Sequence, residues 1–185
     1  MGGNTIMAEE KKESWLNYLA LTTVIFAVCA TLATLKGGGY STKAVMSQSQ
    51  ASDQWAYYQA KSIKGYVYEL QKEKFEVDLK TMKGSVSRSL ASDLEKKIDG
   101  YAQKIKRYDG EKADIMKKAQ ELEESRDTIQ KHAGAFGMAA MFLQIAILLS
   151  SISALMKQKY FWYLGMGSGI FGLVYFFNGF FLFLR

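Results

Sequence analysis

Proline is absent from the 185 residues, and cysteine and histidine each occur only once. The absence of proline favours long helices, because no residue lacks a backbone donor or forces a kink. Cys29, as the single cysteine, excludes an intramolecular disulfide and any metal site built from several cysteines. His132 stands beside a hydrophobic segment, where an interfacial role is more common than metal binding. We therefore predict neither a metal nor another cofactor.

Charged residues make up only 23% of the chain, and they are distributed unevenly. Thirty-four of the 42 lie between Lys36 and Gly134, whereas the remaining chain is largely apolar. This distribution is typical of a membrane protein with one hydrophilic insertion. The insertion holds 19 basic and 15 acidic residues with the signs interleaved, which indicates a solvated helical face. We therefore expect membrane lipids as partners and no nucleic acid.

Three apolar segments are long enough to cross a membrane, since about 20 residues of helix span a hydrocarbon core. The first is residues 15–35, which follow a short polar segment at residues 1–14. A cleaved signal peptide is the alternative for this segment, but its length and its aromatic end favour a retained span. Lys36 and the glycines at 37–39 are expected to end it. The other two predicted spans, separated by a polar loop, are residues 136–156 and 160–184.

The hydrophilic insertion, residues 36–135, contains two runs in which apolar residues recur at spacings of four and three. A repeat of 3.5 residues is typical of helices that pack side by side in a coiled coil. Gly84 and several serines separate the runs, so we predict a turn at about residues 82–92. Ser92 and Glu95 form a capping box that is expected to start the second helix. The repeat positions are Ala56, Ala60, Ile63, Val67 and Leu70 in the first arm, and Leu94, Ile98, Tyr101, Ile105, Tyr108, Lys112, Ile115, Ala119, Leu122, Arg126, Ile129, Ala133 and Phe136 in the second.

Two arms of similar length joined by a short turn predict a hairpin whose ends both return to the membrane. The predicted fold is therefore an all-α membrane protein, with three transmembrane helices and a long antiparallel coiled-coil hairpin between the first and second. The short segments outside the hairpin contain Lys11, Lys12, Lys157 and Lys159. Because basic short segments tend to remain in the cytoplasm, we expect the hairpin to be extracytoplasmic. The basic residues at the flanks of the hairpin favour the opposite orientation almost as strongly; they are Lys36, Lys43, Arg126 and Lys131.

The first arm is more aromatic than its apolar repeat requires. Trp55, Tyr58 and Tyr66 form a second line of rings beside the repeat, and Tyr57 and Tyr68 fall outside both. A two-helix hairpin buries one face of each arm, so these five aromatic residues are candidates for binding a further partner, most simply another copy of the chain. The alternative is that the rings widen the contact between the two arms.

The membrane segments contain two further groups of candidate residues. Side-chain amides inside a bilayer can line a pathway, although they more often join helices by hydrogen bonds. Small residues spaced four apart allow helix backbones to approach closely. The amides are Asn17, Gln144 and Asn178, and the small residues of the third span are Gly165, Ser168, Gly169 and Gly172.

Four stretches of the chain resemble the bacterial domain-of-unknown-function family 4337. They are residues 53–64, with the sequence DQWAYYQAKSIK, residues 68–70, with YEL, residues 142–147, with FLQIAI, and residues 161–165, with FWYLG. The resemblance implies a small protein of the bacterial inner (cytoplasmic) membrane with a helical insertion between spans. It implies no activity, so no catalytic residue is assigned.

No combination of nucleophile and base, paired carboxylates or phosphate-binding loop is found, and we do not expect an enzyme. The sequence favours a structural or interaction protein, a self-assembling anchor that projects a helical hairpin. The alternative is an accessory subunit of a channel or transporter, in which Gln144 and Asn178 lie near a polar pathway.

Overall fold

The computed structural model describes residues 3–81 and 88–184, and three helices account for nearly all of them. Helix α1 is Gly3–Thr81, α2 is Arg88–Met156 and α3 is Lys159–Phe181. These described ranges contain no strand. All three helices are long and apolar enough to cross a membrane, by length and composition. The all-helical fold and the three candidate spans are therefore as predicted.

The chain divides into two compact units. Unit 1 comprises Met1–Val45 and Arg126–Arg185, and unit 2 comprises Met46–Ser125. Unit 1 contains the apolar segments of all three helices, and unit 2 contains the highly charged segments of α1 and α2. The separation follows the charge distribution of the sequence.

Two apolar clusters form the core of unit 1. In one, Phe26 of α1 packs with Leu143 and Ala146 of α2. In the other, Ala33 of α1 packs with Phe136 and Ala139 of α2. Phe136 and Leu143 are completely buried, and rings of α3 complete the second cluster. Alanine occupies many contact positions, which lets the helix axes approach closely.

Helix α3 contacts both other helices through its small residues. Gly169 lies so close to Phe26 that an added Cβ would come within 2.2 Å of its ring, and at Gly172 an added Cβ would come within 2.7 Å of Leu143. The Ser168 hydroxyl donates to the carbonyl oxygen of Phe142 at 2.9 Å. The predicted packing residues of the third span therefore do contact neighbouring helices inside unit 1.

The ends of α3 differ slightly from the predicted span. The Ser153 hydroxyl donates to the carbonyl oxygen of Gln158 at 2.7 Å and so fixes the loop before α3. At the other end, Leu182 adopts a left-handed conformation (φ 49°) and its N–H bonds to the carbonyl oxygen of Asn178. The helix thus ends at Phe181, three residues before the predicted limit of 184.

Two predicted helix boundaries are wrong. Helix α1 continues through the glycines at 37–39. At Gly37 the helix packs closely against Phe136 of α2, since an added Cβ would lie only 3.2 Å from the Phe136 side chain. The packing gained there offsets the poor helix propensity of glycine. Helix α2 begins at Arg88, so Ser92 lies inside it and cannot act as the predicted cap. Arg88, Leu90 and Ala91 all have good helix propensity. The remainder of the predicted turn, residues 82–87, lies outside the described residues.

Candidate functional site

The apolar repeat of α2 faces the interior of both units. All thirteen predicted positions, from Leu94 to Phe136, are buried or half-buried. Tyr108 and Ile115 are the most enclosed large side chains of this repeat in unit 2. The prediction of an inward face is confirmed for this helix.

The corresponding repeat of α1 faces outward, and the prediction that it packs against the second arm is wrong. Ile63 is 63% exposed and Leu70 is 65% exposed. Ala56, Ala60 and Val67 are exposed as well. The face of α1 that is turned inward is more aromatic and more polar than the apolar repeat. Its long side chains reach across to the residues of α2.

Three of the five aromatic candidates belong to this inward face. The Trp55 indole Nε1 donates to Glu123 Oε1 at 2.9 Å, and its ring meets that of Tyr58 edge to face. Tyr68 lies between Tyr101 and Tyr108 of α2, with centroid distances of 5.8 and 5.5 Å. These rings widen the contact between the two helical segments, as the alternative interpretation held.

Tyr57 and Tyr66 are the two aromatic candidates that remain exposed. The Tyr57 ring lies 5.4 Å from the Lys61 ammonium, and the Tyr66 ring lies 6.0 Å from that of Lys112. Their outer surfaces adjoin the exposed repeat of α1. They therefore stay available to a partner, whereas Trp55 is held by its hydrogen bond.

An ion pair is built into the inward face of unit 2. Lys61 of α1 donates to Glu111 of α2, and its ammonium also lies 4.8 Å from the centre of the Tyr108 ring. The hydrogen bond raises the pKa of Lys61 and lowers the pKa of Glu111. The Arg107 guanidinium, whose Nε lies 3.3 Å from Glu111 Oε1, lowers the pKa of Glu111 further. Both groups are therefore charged at neutral pH.

The exposed apolar surface of α1 is the most prominent feature of unit 2 without a described contact. We call it the outer stripe, and it consists of Ala56, Ala60, Ile63, Val67, Leu70 and Val77. Its residues recur at the spacing of a helix–helix contact. By contrast, the exposed face of α2 is mostly charged, with Met116 a rare apolar residue. The outward surface of unit 2 is therefore apolar on α1 and charged on α2.

The polar residues of the membrane segments do not converge. Asn17 and Gln144 are exposed on unit 1, whereas Asn178 is buried and its Oδ1 accepts from the Leu184 N–H at 2.7 Å. Asn178 thus holds the chain that follows α3. The structure does not bring the three amides together along one path.

His132 joins α2 to α3, a contact the sequence did not indicate. Its Nδ1 donates to the Gly179 carbonyl oxygen at 2.8 Å, and its ring stacks on Tyr40 of α1 at 4.9 Å. The position of a lone histidine immediately before a charge-free segment was the available signal. No group of three or more His, Cys, Asp or Glu residues that could hold a metal occurs among the described residues.

Comparison with known proteins gives one match. The family model described as "Domain of unknown function (DUF4337)" matches residues 15–182. No curated protein and no solved structure matches the chain. The matched range covers the apolar segments of unit 1 and all of unit 2.

Proposed function

The chain belongs to the DUF4337 family, and we propose that it is a membrane-anchored interaction protein, not an enzyme, that assembles with copies of itself. The helices of unit 1 supply the anchor, and unit 2 supplies the surface for association. The observation that carries this proposal is the outer stripe of α1. An exposed apolar surface on an otherwise charged unit marks an interaction site. The outer stripe is apolar at each repeat position from Ala56 to Leu70, and Lys74 then separates Leu70 from Val77.

We propose that unit 2 is an antiparallel helical hairpin. Its contacts support this arrangement, because the partner position in α2 falls as the position in α1 rises. Trp55 bonds to Glu123, Lys61 pairs with Glu111, and Phe75 stacks on Tyr101. Such a hairpin buries one face of α1 and leaves the outer stripe on its opposite side.

A second copy of the chain suits the outer stripe better than a lipid surface does. Helices that lie on membranes usually carry a polar face rich in Lys and Arg. Beside the outer stripe, Lys64 and Lys80 are balanced by Glu73 and Asp78. Flanks with equal numbers of each charge can pair with themselves, as the flanking positions of coiled coils do.

The outer stripe can be tested by replacing two of its residues. We expect Ile63→Ser together with Leu70→Ser to lower the mass of the detergent-solubilised particle to one chain of 20.8 kDa, after correction for detergent. Light scattering measures the mass, and circular dichroism should show unchanged helix content because both residues are largely exposed. Met116→Ser removes an exposed apolar residue of α2 and should leave the assembly intact.

A wild-type particle with the mass of a single chain would contradict self-assembly altogether. A double variant that keeps the wild-type mass would show instead that the copies associate through another surface. Loss of helix content in the double variant would mean that the outer stripe belongs to the fold.

We also propose that the protein resides in the bacterial inner (cytoplasmic) membrane, with unit 2 outside the cytoplasm. The lysines of the two short segments support this orientation. In a chain with Cys29→Ser, the exposed position Lys96→Cys should react with a membrane-impermeant thiol reagent in intact cells. Labelling seen only after lysis would place unit 2 in the cytoplasm.

The accessory subunit of a channel or transporter stays a prediction without a supporting arrangement. A polar pathway needs amides that face a common space. Gln144 is exposed and Asn178 is committed to the Leu184 N–H.

A further inference from the structure

A groove of about 760 Å³ lies within unit 1, between α2 and the carboxyl end of α3. Its α2 side includes Lys131 and Met138, and its α3 side includes Tyr175 and Asn178. Leu184 closes one side, because the left-handed turn at Leu182 brings its N–H to Asn178. The volume is in the range of small-molecule sites, which hold about 300–1,000 Å³.

The mouth of the groove is basic. Lys131 is the last charged residue before a run without charge that covers residues 132–156. Among the described residues it forms no ion pair, and no carboxylate lines the groove. The next acidic residue upstream, Asp127, is paired with Arg126 at 2.7 Å. Among the described residues that line the groove, Lys131 therefore contributes the only formal charge, and it is positive.

A contact of the neighbouring residue His132 fixes the position of this mouth along α3. The hydrogen bond from His132 to Gly179 places Lys131 beside the end of α3. The Oδ1 atom of Asn178 accepts from the Leu184 N–H, and Asn178 lines the groove with its NH₂ group as the remaining donor of the side chain. A cation and an amide donor thus stand at the boundary between charged and apolar sequence.

The body of the groove is apolar. Met138 lies two turns along α2 from Lys131, about 10 Å deeper at 1.5 Å per residue. Tyr175 faces it from α3, where its ring stacks on Phe142 at 5.9 Å. A ligand that fits must have an anionic end at Lys131 and an apolar end beside Met138.

We propose that this groove binds one anionic phospholipid, with its phosphate at Lys131 and Asn178 and the start of an acyl chain along Met138 and Tyr175. Basic sites between transmembrane helices are suited to such headgroups. An anionic lipid complements the unpaired ammonium, whereas a zwitterionic lipid would add a second cation near it. The proposal goes beyond self-assembly, because the site lies within a single chain.

Native mass spectrometry of the full chain, released from detergent containing equal amounts of phosphatidylglycerol and phosphatidylcholine, tests the site. We expect one retained phosphatidylglycerol per chain and a clear preference over phosphatidylcholine. Lys131→Gln should reduce the retained phosphatidylglycerol about fivefold, as expected for one lysine near a lipid surface. Lys157→Gln, outside the groove at the loop between α2 and α3, should have little effect.

A second pair of variants tests the space itself. Gly134 lines the groove and Gly137 does not, and a Cβ added to either meets no atom within 4 Å. Gly134→Leu should therefore abolish retention of the lipid without disturbing the fold, whereas Gly137→Leu should retain it.

Three results would overturn the proposal. Equal losses in the two lysine variants would indicate general charge attraction, and unchanged retention in Gly134→Leu would exclude the groove. Displacement of the lipid by inorganic phosphate would indicate a site for free anions. None of these results depends on whether the copies associate.

Discussion

In unit 1 the helices approach each other over glycine and alanine, whereas in unit 2 aromatic rings and lysine side chains fill the space between them. Phe136 and Leu143 of unit 1 are completely enclosed, while Tyr68 and Lys61 of unit 2 are only half-buried. The difference follows from the number of neighbours. Three helices can surround a side chain, whereas two helical segments leave its edges in contact with solvent.

The two kinds of interior should respond differently to substitution. A close contact over glycine has no room for an added atom, so a small change there produces a large effect. Half-buried aromatic rings keep part of their surface exposed, so removing one of them costs less stability than removing a fully buried ring. A paired charge at the edge contributes least, because solvent screens it.

The largest effect is expected for Gly172→Ala in unit 1. The new Cβ would meet Leu143, including its backbone nitrogen at 3.0 Å, so the helices must separate. We expect a loss of about 1–3 kcal/mol of stability, the usual cost of overpacking. Cys29 packs against the same cluster, and its rate of reaction with a small maleimide reports the opening of this core.

Gly167→Ala is the matched control for this change. It lies on the same helix, and an added Cβ there meets nothing within 4 Å. Stability should be unchanged or slightly higher, because alanine favours helix by up to about 1 kcal/mol relative to glycine. Equal behaviour of the two variants would contradict the close packing of α3.

A smaller effect is expected for Tyr68→Ala in unit 2. Its ring contacts Tyr101 and Tyr108, and Lys104 lies 5.2 Å from its centre. Removing a half-buried ring should cost about 1 kcal/mol, close to the roughly 0.5–1.5 kcal/mol of an aromatic contact and below the roughly 3–5 kcal/mol of a fully buried aromatic residue. Hydrogen exchange should accelerate in residues 98–108 of α2.

Tyr66→Ala provides the comparison on the same helix. Tyr66 is 60% exposed, and exposed substitutions usually change stability by less than about 0.5 kcal/mol. If this variant accelerated exchange as much as Tyr68→Ala does, the assignment of the inward face of α1 would be wrong.

The sequence predicted the helices more securely than it predicted their contacts. Length and composition were enough for three spans, and α2 has only one apolar face, so its repeat identified the buried positions. Helix α1 has two candidate faces in the sequence, the apolar repeat and the line of Trp55, Tyr58 and Tyr66. The inward face of the structure instead joins Trp55 and Tyr58 with Tyr68. Periodicity marks a face that needs cover, but it does not say which neighbour covers it.

The candidate sites depend on contacts between residues that are distant in the sequence. Lys61 and Glu111 are 50 positions apart, and His132 and Gly179 are 47 apart. No local pattern connects such pairs. The groove at Lys131 likewise requires the turn at Leu182, whose left-handed conformation the sequence does not indicate. The error at the glycines 37–39 has the same origin, because a contact with Phe136 offsets the local preference.

The smallest effect concerns the Lys61–Glu111 pair at low pH. The hydrogen bond from Lys61 lowers the pKa of Glu111 in the folded chain below the ordinary value of about 4.3. As the pH falls, the unfolded chain therefore takes up the proton before the folded chain does. The pair contributes to the stability of the folded chain at pH values above the ordinary pKa. This contribution is lost as the pH falls through the lower pKa of the folded state. Thermal unfolding measured from about pH 6 down to about pH 3 should show this loss.

Glu111→Gln isolates the contribution of the pair from that of the other carboxylates. Because glutamine does not titrate, this variant should lose less stability than the wild type over the same acid range. Glu121→Gln, at an exposed position on the same helix, should follow the wild-type curve. At the alkaline end the raised pKa of Lys61 keeps the pair intact beyond the ordinary lysine value, so neither curve should change near neutral pH. Parallel acid curves for Glu111→Gln and the wild type would show that the pair makes no measurable contribution to the stability of unit 2.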